Sequence, residues 1–113
     1  MEFNQYNTTV QQWIHTVLEN RETNADVVLE CCRDIIAYGR ETDDPKLMGF
    51  GFFYGGEIYY ELNDGAHFFH MMTEALTYLD RAEEWELVVR CYNFLGIASM
   101  SRGNPSLALD YYM

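Results

Sequence analysis

Bases are scarce in this chain. Seven lysines and arginines stand against 18 aspartates and glutamates, a formal net charge of -11. A surface of that sign repels phosphate backbones and anionic lipid heads. Nucleic acid and membranes are therefore poor partners, and a basic or apolar peptide is a better one. Cysteine is scarce too: Cys31, Cys32 and Cys91 are odd in number and two are adjacent. A disulfide framework would need a spaced, even set. Reduced, buried thiols fit better, and a bond between the neighbours Cys31 and Cys32 would be strained. No Cys-x-x-Cys pair occurs, so a zinc site is not expected. The first residues, MEFNQYNTTVQQW, hold neither a basic region nor an apolar segment. No signal peptide is expected, and a cytoplasmic protein is. The longest uncharged apolar run, Leu47 to Gly56, stops at Glu57, short of the roughly 18 residues that a membrane span needs. There is no Gly-Lys-Ser/Thr triplet, and Gly49-Phe50-Gly51 lacks the third glycine of a dinucleotide fingerprint. No motif frames a nucleophile. We expect neither a cofactor nor an enzyme.

Rings and apolar side chains are abundant. Hydrophobic residues make up 49% of the 113-residue chain and aromatic ones 16%. That composition belongs to one ordered domain with a real core. Thr8 with Gln11 three residues later reads as a capping box. Val10, Trp13, Ile14, Val17 and Leu18 then follow helical spacing to about Glu19. Thr23 or Asn24 can cap a second helix whose broad stripe includes Val27, Val28, Cys31, Ile35 and Tyr38. Gly39 and a polar run close it. Both prolines follow a capping residue: Asp44-Pro45 starts a third helix and Asn104-Pro105 a sixth.

The segment after Pro45, GFGFFYGGEIYY, puts four glycines among six aromatics. Strand is the rival reading, since phenylalanine and tyrosine favour strands. Alternation fails across Phe52-Phe53-Tyr54, however, while Gly51 and Gly55, and Phe50, Tyr54 and Ile58, stand four apart. That spacing predicts a helix from Pro45 to about Leu62, with glycines where a neighbouring helix comes close. Helices over 66–79, about 81–101 and 106–113 follow, and in the fifth Trp85, Val88, Val89, Tyr92, Leu95 and Gly96 are expected to face inward. The chain reads as all-α, a set of antiparallel helical hairpins at about 8–41, 45–79 and 81–113.

Tyr92-Asn93-Phe94-Leu95-Gly96, then Gly103, Ala108 and Tyr111-Tyr112, resembles a tetratricopeptide repeat. Gly56, Tyr59 and Ala75 fit the same template more loosely, while Ser99 and Phe68 depart from it. The matched glycines Gly56 and Gly96 lie 40 apart against the usual 34; we expect the extra length around Asp80 to Trp85. The resemblance implies a short solenoid of about six helices whose concave face is lined by the first helix of each repeat. The positions so implied are Phe50, Phe53, Glu57, Tyr60 and Glu61, then Arg90, Asn93, Ile97 and Met100. The lysines with which some members of this family clamp a peptide carboxylate are missing.

The expected function is a non-enzymatic interaction or regulatory module, binding a peptide or partner helix. On this reading Glu57→Lys with Glu61→Lys should abolish binding of a basic partner and leave helicity intact. Leu109, Tyr111 and Tyr112 begin a helix without a polar end, which suggests an edge for a next repeat or for a second copy. We favour a fragment of a longer chain. By analogy it would be the N-terminal region of a bacterial signalling protein such as a diguanylate cyclase. A stand-alone homodimerising adaptor is the alternative. A small metal-binding protein using His67, His70 and Glu74, at i, i+3 and i+7, is the third option.

Overall fold

The computed structural model describes residues 2–101. The turns set its architecture. Helices α2 (Ala25–Glu41), α3 (Pro45–Glu61), α4 (Gly65–Arg81) and α5 (Trp85–Ser101) each span 17 residues. The last three start 20 residues apart because each follows a three-residue turn, at 42–44, 62–64 and 82–84. The three turns share one hydrogen-bond scheme. Asp44 N–H donates to Gly39 O, Asp64 N–H to Tyr59 O and Glu84 N–H to Leu79 O, at 2.8, 3.0 and 3.0 Å. The residue before each has positive φ: Asp43 at 52°, Asn63 at 59° and Glu83 at 59°. This is the Schellman ending, which satisfies the last carbonyls of one helix. Asp44 and Asp64 then cap the next helix, accepting from Leu47 N–H and His67 N–H at 3.2 Å each.

Helix α1 (Thr8–Asn20) is shorter. Its cap is Asn7, which accepts from Val10 N–H at 3.0 Å; the expected box on Thr8 begins one residue late. Asn24 caps α2 and Asp44 caps α3, as the sequence suggests. Gly39 lies inside α2, which runs on to Glu41, and α5 begins at Trp85 rather than near Arg81. The 40-residue spacing of Gly56 and Gly96 is thus not a local insertion. It is two helices of 17 residues and two turns of three.

Helix α3 is the core of the molecule. Twelve of its residues are buried, from Leu47 to Ile58, and α2 and α4 flank it. Its glycines are what let them approach. A Cβ on Gly49 would lie 2.6 Å from Leu79 Cδ2 of α4, and one on Gly51 would lie 2.6 Å from Ile36 Cγ1 and 3.0 Å from the Cys32 carbonyl oxygen of α2. A helical glycine costs about 1 kcal/mol, whereas each fully buried Leu, Ile or Phe side chain contributes roughly 1.5–3 kcal/mol. Phe50, Phe53, Leu47 and Ile58 are such residues, so packing outweighs propensity here.

Among the described residues the protein is all-helical, with five helices and no strand. The expected sixth helix, with Leu109, Tyr111 and Tyr112, lies outside them. No helix among the described residues is long and apolar enough to cross a membrane. The inward-facing set of α5 needs correction. Val88, Leu95 and Gly96 are buried, but Trp85 and Val89 are 55% and 57% exposed and Tyr92 is also exposed. Ser99, in register with Tyr59 at that 40-residue spacing, is buried, and its hydroxyl has no hydrogen-bond partner among the described residues.

Candidate functional site: the face of α1, α3 and α5

Arg21, the C-cap of α1, reaches across to Glu57 on α3. Its Nε and Nη2 donate to the two carboxylate oxygens at 2.8 and 2.7 Å. Arg90 of α5 donates to Glu57 Oε2 from the other side at 3.3 Å. Each guanidinium also covers a ring of α3, Arg21 that of Tyr54 at 5.1 Å and Arg90 that of Phe53 at 4.8 Å. Glu57 is only 5% exposed. A carboxylate so buried requires charged partners and hydrogen bonds, and the two arginines supply both. The three odd-numbered helices are therefore tied together by side chains across one face.

The tie divides that face along α3. On the side toward the start of α3, Phe50, Tyr54, Leu18, Leu87 and Arg90 help to line a cavity of about 190 Å³. Phe3 belongs to the same wall, packed edge-on against Phe50 at 5.2 Å with the Lys46 ammonium 5.0 Å above its ring. The segment carrying Phe3 is anchored by Tyr6, whose hydroxyl donates to Asp44 Oδ2 at 2.8 Å. Burial, and then the Asp44 carboxylate, push the Tyr6 phenol well above its ordinary range.

Toward the end of α3, Tyr59, Tyr60, Glu61, Phe68 and Phe69 help to line an open cavity of about 420 Å³. Phe94 of α5 packs against two of these rings. Its ring lies 5.4 Å from Tyr60, 6.4 Å from Phe68 and 6.0 Å from Phe53. At the rim His67 stacks on Tyr59 at 4.8 Å, and its Nδ1 lies 2.8 Å from Asp64 Oδ2. The backbone N–H of His67, together with its ring, holds the Asp64 carboxyl below the usual carboxylate range.

The expected site residues are distributed over these features. Phe50 and Arg90 line the first cavity, and Tyr60 and Glu61 line the second. Phe53 and Phe50 are both core, at 0% and 1% exposure. Glu57 is the buried anion of the tie rather than an open charge, so the double reversal with Glu61, expected to abolish binding and spare helicity, would put a third cation between two arginines. Asn93, Ile97 and Met100 are exposed and line neither cavity. Sequence spacing missed Arg21, Tyr54, Phe68 and Phe69. The tie to Arg21 spans 36 residues, and no periodicity reports such a contact.

Among the described residues no group of three His, Cys, Asp or Glu side chains is placed to hold a metal. His67 turns to Tyr59 and Asp64, while His70 sits edge-on to Phe52 at 6.4 Å. The cysteines are free thiols. Burial pushes the Cys91 thiol up to about 12 and Cys32 further still, so neither is a ready nucleophile at neutral pH. What the face offers is rings, carboxylates and two partly exposed guanidiniums, groups that hold a ligand by shape and charge. Comparison with family models, with curated proteins and with solved structures finds no match to this chain.

Proposed function

We propose that this chain is a non-enzymatic binding module built on the tetratricopeptide plan, and that it holds a basic, partly apolar peptide along the face of α1, α3 and α5. The observation that carries this reading is the pair of ring-walled cavities on either side of the Arg21–Glu57–Arg90 tie. Two such cavities on one helix suit two anchoring side chains of one extended or helical segment. The net charge of -11 favours a basic segment and speeds its encounter. In a cytoplasmic signalling protein the module would relay occupancy of this face to a neighbouring output domain. Peptide display against the purified chain tests the proposal. Selected sequences should carry apolar residues beside Lys or Arg, and Glu61→Lys should weaken their binding. Selection without enrichment, or enrichment of acidic peptides, would refute it.

A second reading draws on the outer side of α5, where Trp85, Val89 and Met100 are more than half exposed. An adaptor pairing with its own copy would use that stripe. Sedimentation equilibrium should then show a dimer that Val89→Glu dissociates, and a monomer at all concentrations would remove this reading.

A further inference from the structure

We propose that Phe3 is the resident occupant of an aromatic side-chain site on this face, and that residues 2–6 form a strap which a partner must displace to enter it. That the incoming ring belongs to a peptide rests on the reading above; the strap and its seat do not.

The strap precedes α1 and has no regular structure. A turn folds it: Tyr6 N–H donates to Phe3 O at 3.2 Å, which sets the two rings side by side with centroids 6.2 Å apart. Both meet the start of α3. Tyr6 bonds Asp44, and Phe3 stands edge-on to Phe50 at 5.2 Å. Phe3 lines the 190 Å³ cavity together with Leu18 of α1, Tyr54 of α3 and Leu87 of α5. A ring from outside the helices thus sits where the three odd-numbered helices converge. Glu2, Asn4 and Gln5 are exposed while Phe3 and Tyr6 are half-buried, so these two rings supply the packing that holds the segment down.

The fastenings of the strap are side chains. Among the described residues, the one backbone-to-backbone bond made by residues 2–6 is their own turn. Gln11 Nε2 donates to the Tyr6 carbonyl at 2.7 Å, Lys46 Nζ to that of Glu2, and the Tyr6 hydroxyl to Asp44. Water can replace each of these bonds, so the segment can leave without opening a helix, and segments held in this way open first. Asn7 caps α1 through its own bond to Val10 N–H. Lys46 favours release further. It is the single lysine of the chain, its ammonium lies 5.0 Å over the Phe3 ring and 6.0 Å over that of Tyr6, and its side chain is only 18% exposed. Departure of the strap returns that ammonium to water, which offsets part of the lost ring contact, and Glu84 at 4.0 Å remains as its counter-charge. The vacated seat offers the flank of Phe50 and a cation beside it. An aromatic side chain recovers both contacts, edge to ring and face to ammonium; an aliphatic one cannot engage the ammonium.

The test is an NMR titration of the whole chain and of its Phe3→Ala variant with N-acetyl-phenylalanine amide. N-acetyl-leucine amide, apolar but without a ring, is the control. The expected result for Phe3→Ala is saturable movement of the Leu18 methyl and Phe50 ring signals in the millimolar range. The wild-type chain should bind the probe about tenfold more weakly, because its own ring holds the seat, and the leucine control should be the weaker ligand of the variant. Tyr6→Phe keeps the ring and loses the bond to Asp44; it should loosen the strap and raise the affinity for the probe severalfold, and it carries the test if Phe3→Ala loses helicity. Equal affinity of wild type and variants, movement confined to the Tyr60 cavity, or equal binding of the leucine control overturns the proposal. Should a display-selected peptide bind wild type and Phe3→Ala equally, the strap falls and the peptide reading stands. Should the probe enter the seat on loss of Phe3 while display enriches no peptide, the seat stands and that reading falls.

Discussion

Arg21→Ala should destabilise this fold about three times as much as Arg90→Ala, although both arginines bond the same carboxylate. The Glu57 side chain is 7% exposed, Arg21 28% and Arg90 34%. Arg21 makes two short bonds in fork geometry, at 2.8 and 2.7 Å, and Arg90 one at 3.3 Å. Breaking a fully buried pair costs roughly 3–5 kcal/mol, mostly because the remaining charge is stranded. Arg21 is partly solvated, so the lower end applies: about 3 kcal/mol for Arg21→Ala, which leaves the carboxylate with one long contact. Arg90→Ala leaves the fork intact and removes a single partly exposed bond and the cover over Phe53, about 1 kcal/mol. At about 4 °C per kcal/mol for a chain of this size, the melting temperatures should fall by about 12 °C and about 4 °C. Urea unfolding followed by circular dichroism measures both. Equal losses for the two variants, or a loss below about 1 kcal/mol for Arg21→Ala, would refute the assignment of Arg21 as the principal counter-charge. Replacing Glu57 and Arg21 together by methionine should recover much of the stability, since an apolar pair of similar volume avoids the desolvation cost.

Three substitutions test the helix contacts and the turns. Gly49→Ala should cost about 1–3 kcal/mol, because the new methyl meets Leu79 side-chain carbons at 2.6–2.7 Å and its backbone nitrogen at 3.1 Å. Gly55→Ala should be close to neutral or stabilising, since the near obstacle is the mobile end of Met71 and helix propensity gains about 1 kcal/mol; thermal melts of the two variants distinguish the cases. Glu83→Gly should raise the midpoint of urea unfolding by relieving the positive φ of 59°, a strain of about 1 kcal/mol for a side-chain-bearing residue. An unchanged or lower midpoint would show that this turn carries no such strain.

Much of this architecture was legible in the sequence. Asp44-Pro45 marked the start of α3 because a side-chain acceptor and a fixed φ act within four residues. The glycine spacing of α3 marked close helix contacts because a helix repeats its faces every three or four residues. Local signals failed where the outcome depends on a distant partner. Trp85 and Val89 match the inward pattern of a buried helix, yet the described residues do not cover them. Glu57 reads as one more acid among 18, and its burial follows only from arginines that the fold brings from 36 positions before and 33 after. Tyr60 and Glu61 were named from repeat register, but the rings that complete their cavity come from α4, in a helix the register did not assign to that face.

Helix α3 lies at the centre, and the helices packed most extensively against it are the ones directly before and after it in the chain. The chain can therefore assemble by successive short-range closures, which favours rapid folding. The same placement bears on how it comes apart. A solenoid of independent repeats can fray one hairpin at a time, but here either hairpin that left would expose part of a helix whose own surface is almost entirely buried. The amides of α3 should accordingly exchange with solvent only when the whole unit opens, while those of α1 and the outer side of α5 exchange through local openings. On the proposed function, a peptide held on that face would shift one equilibrium shared by the whole unit.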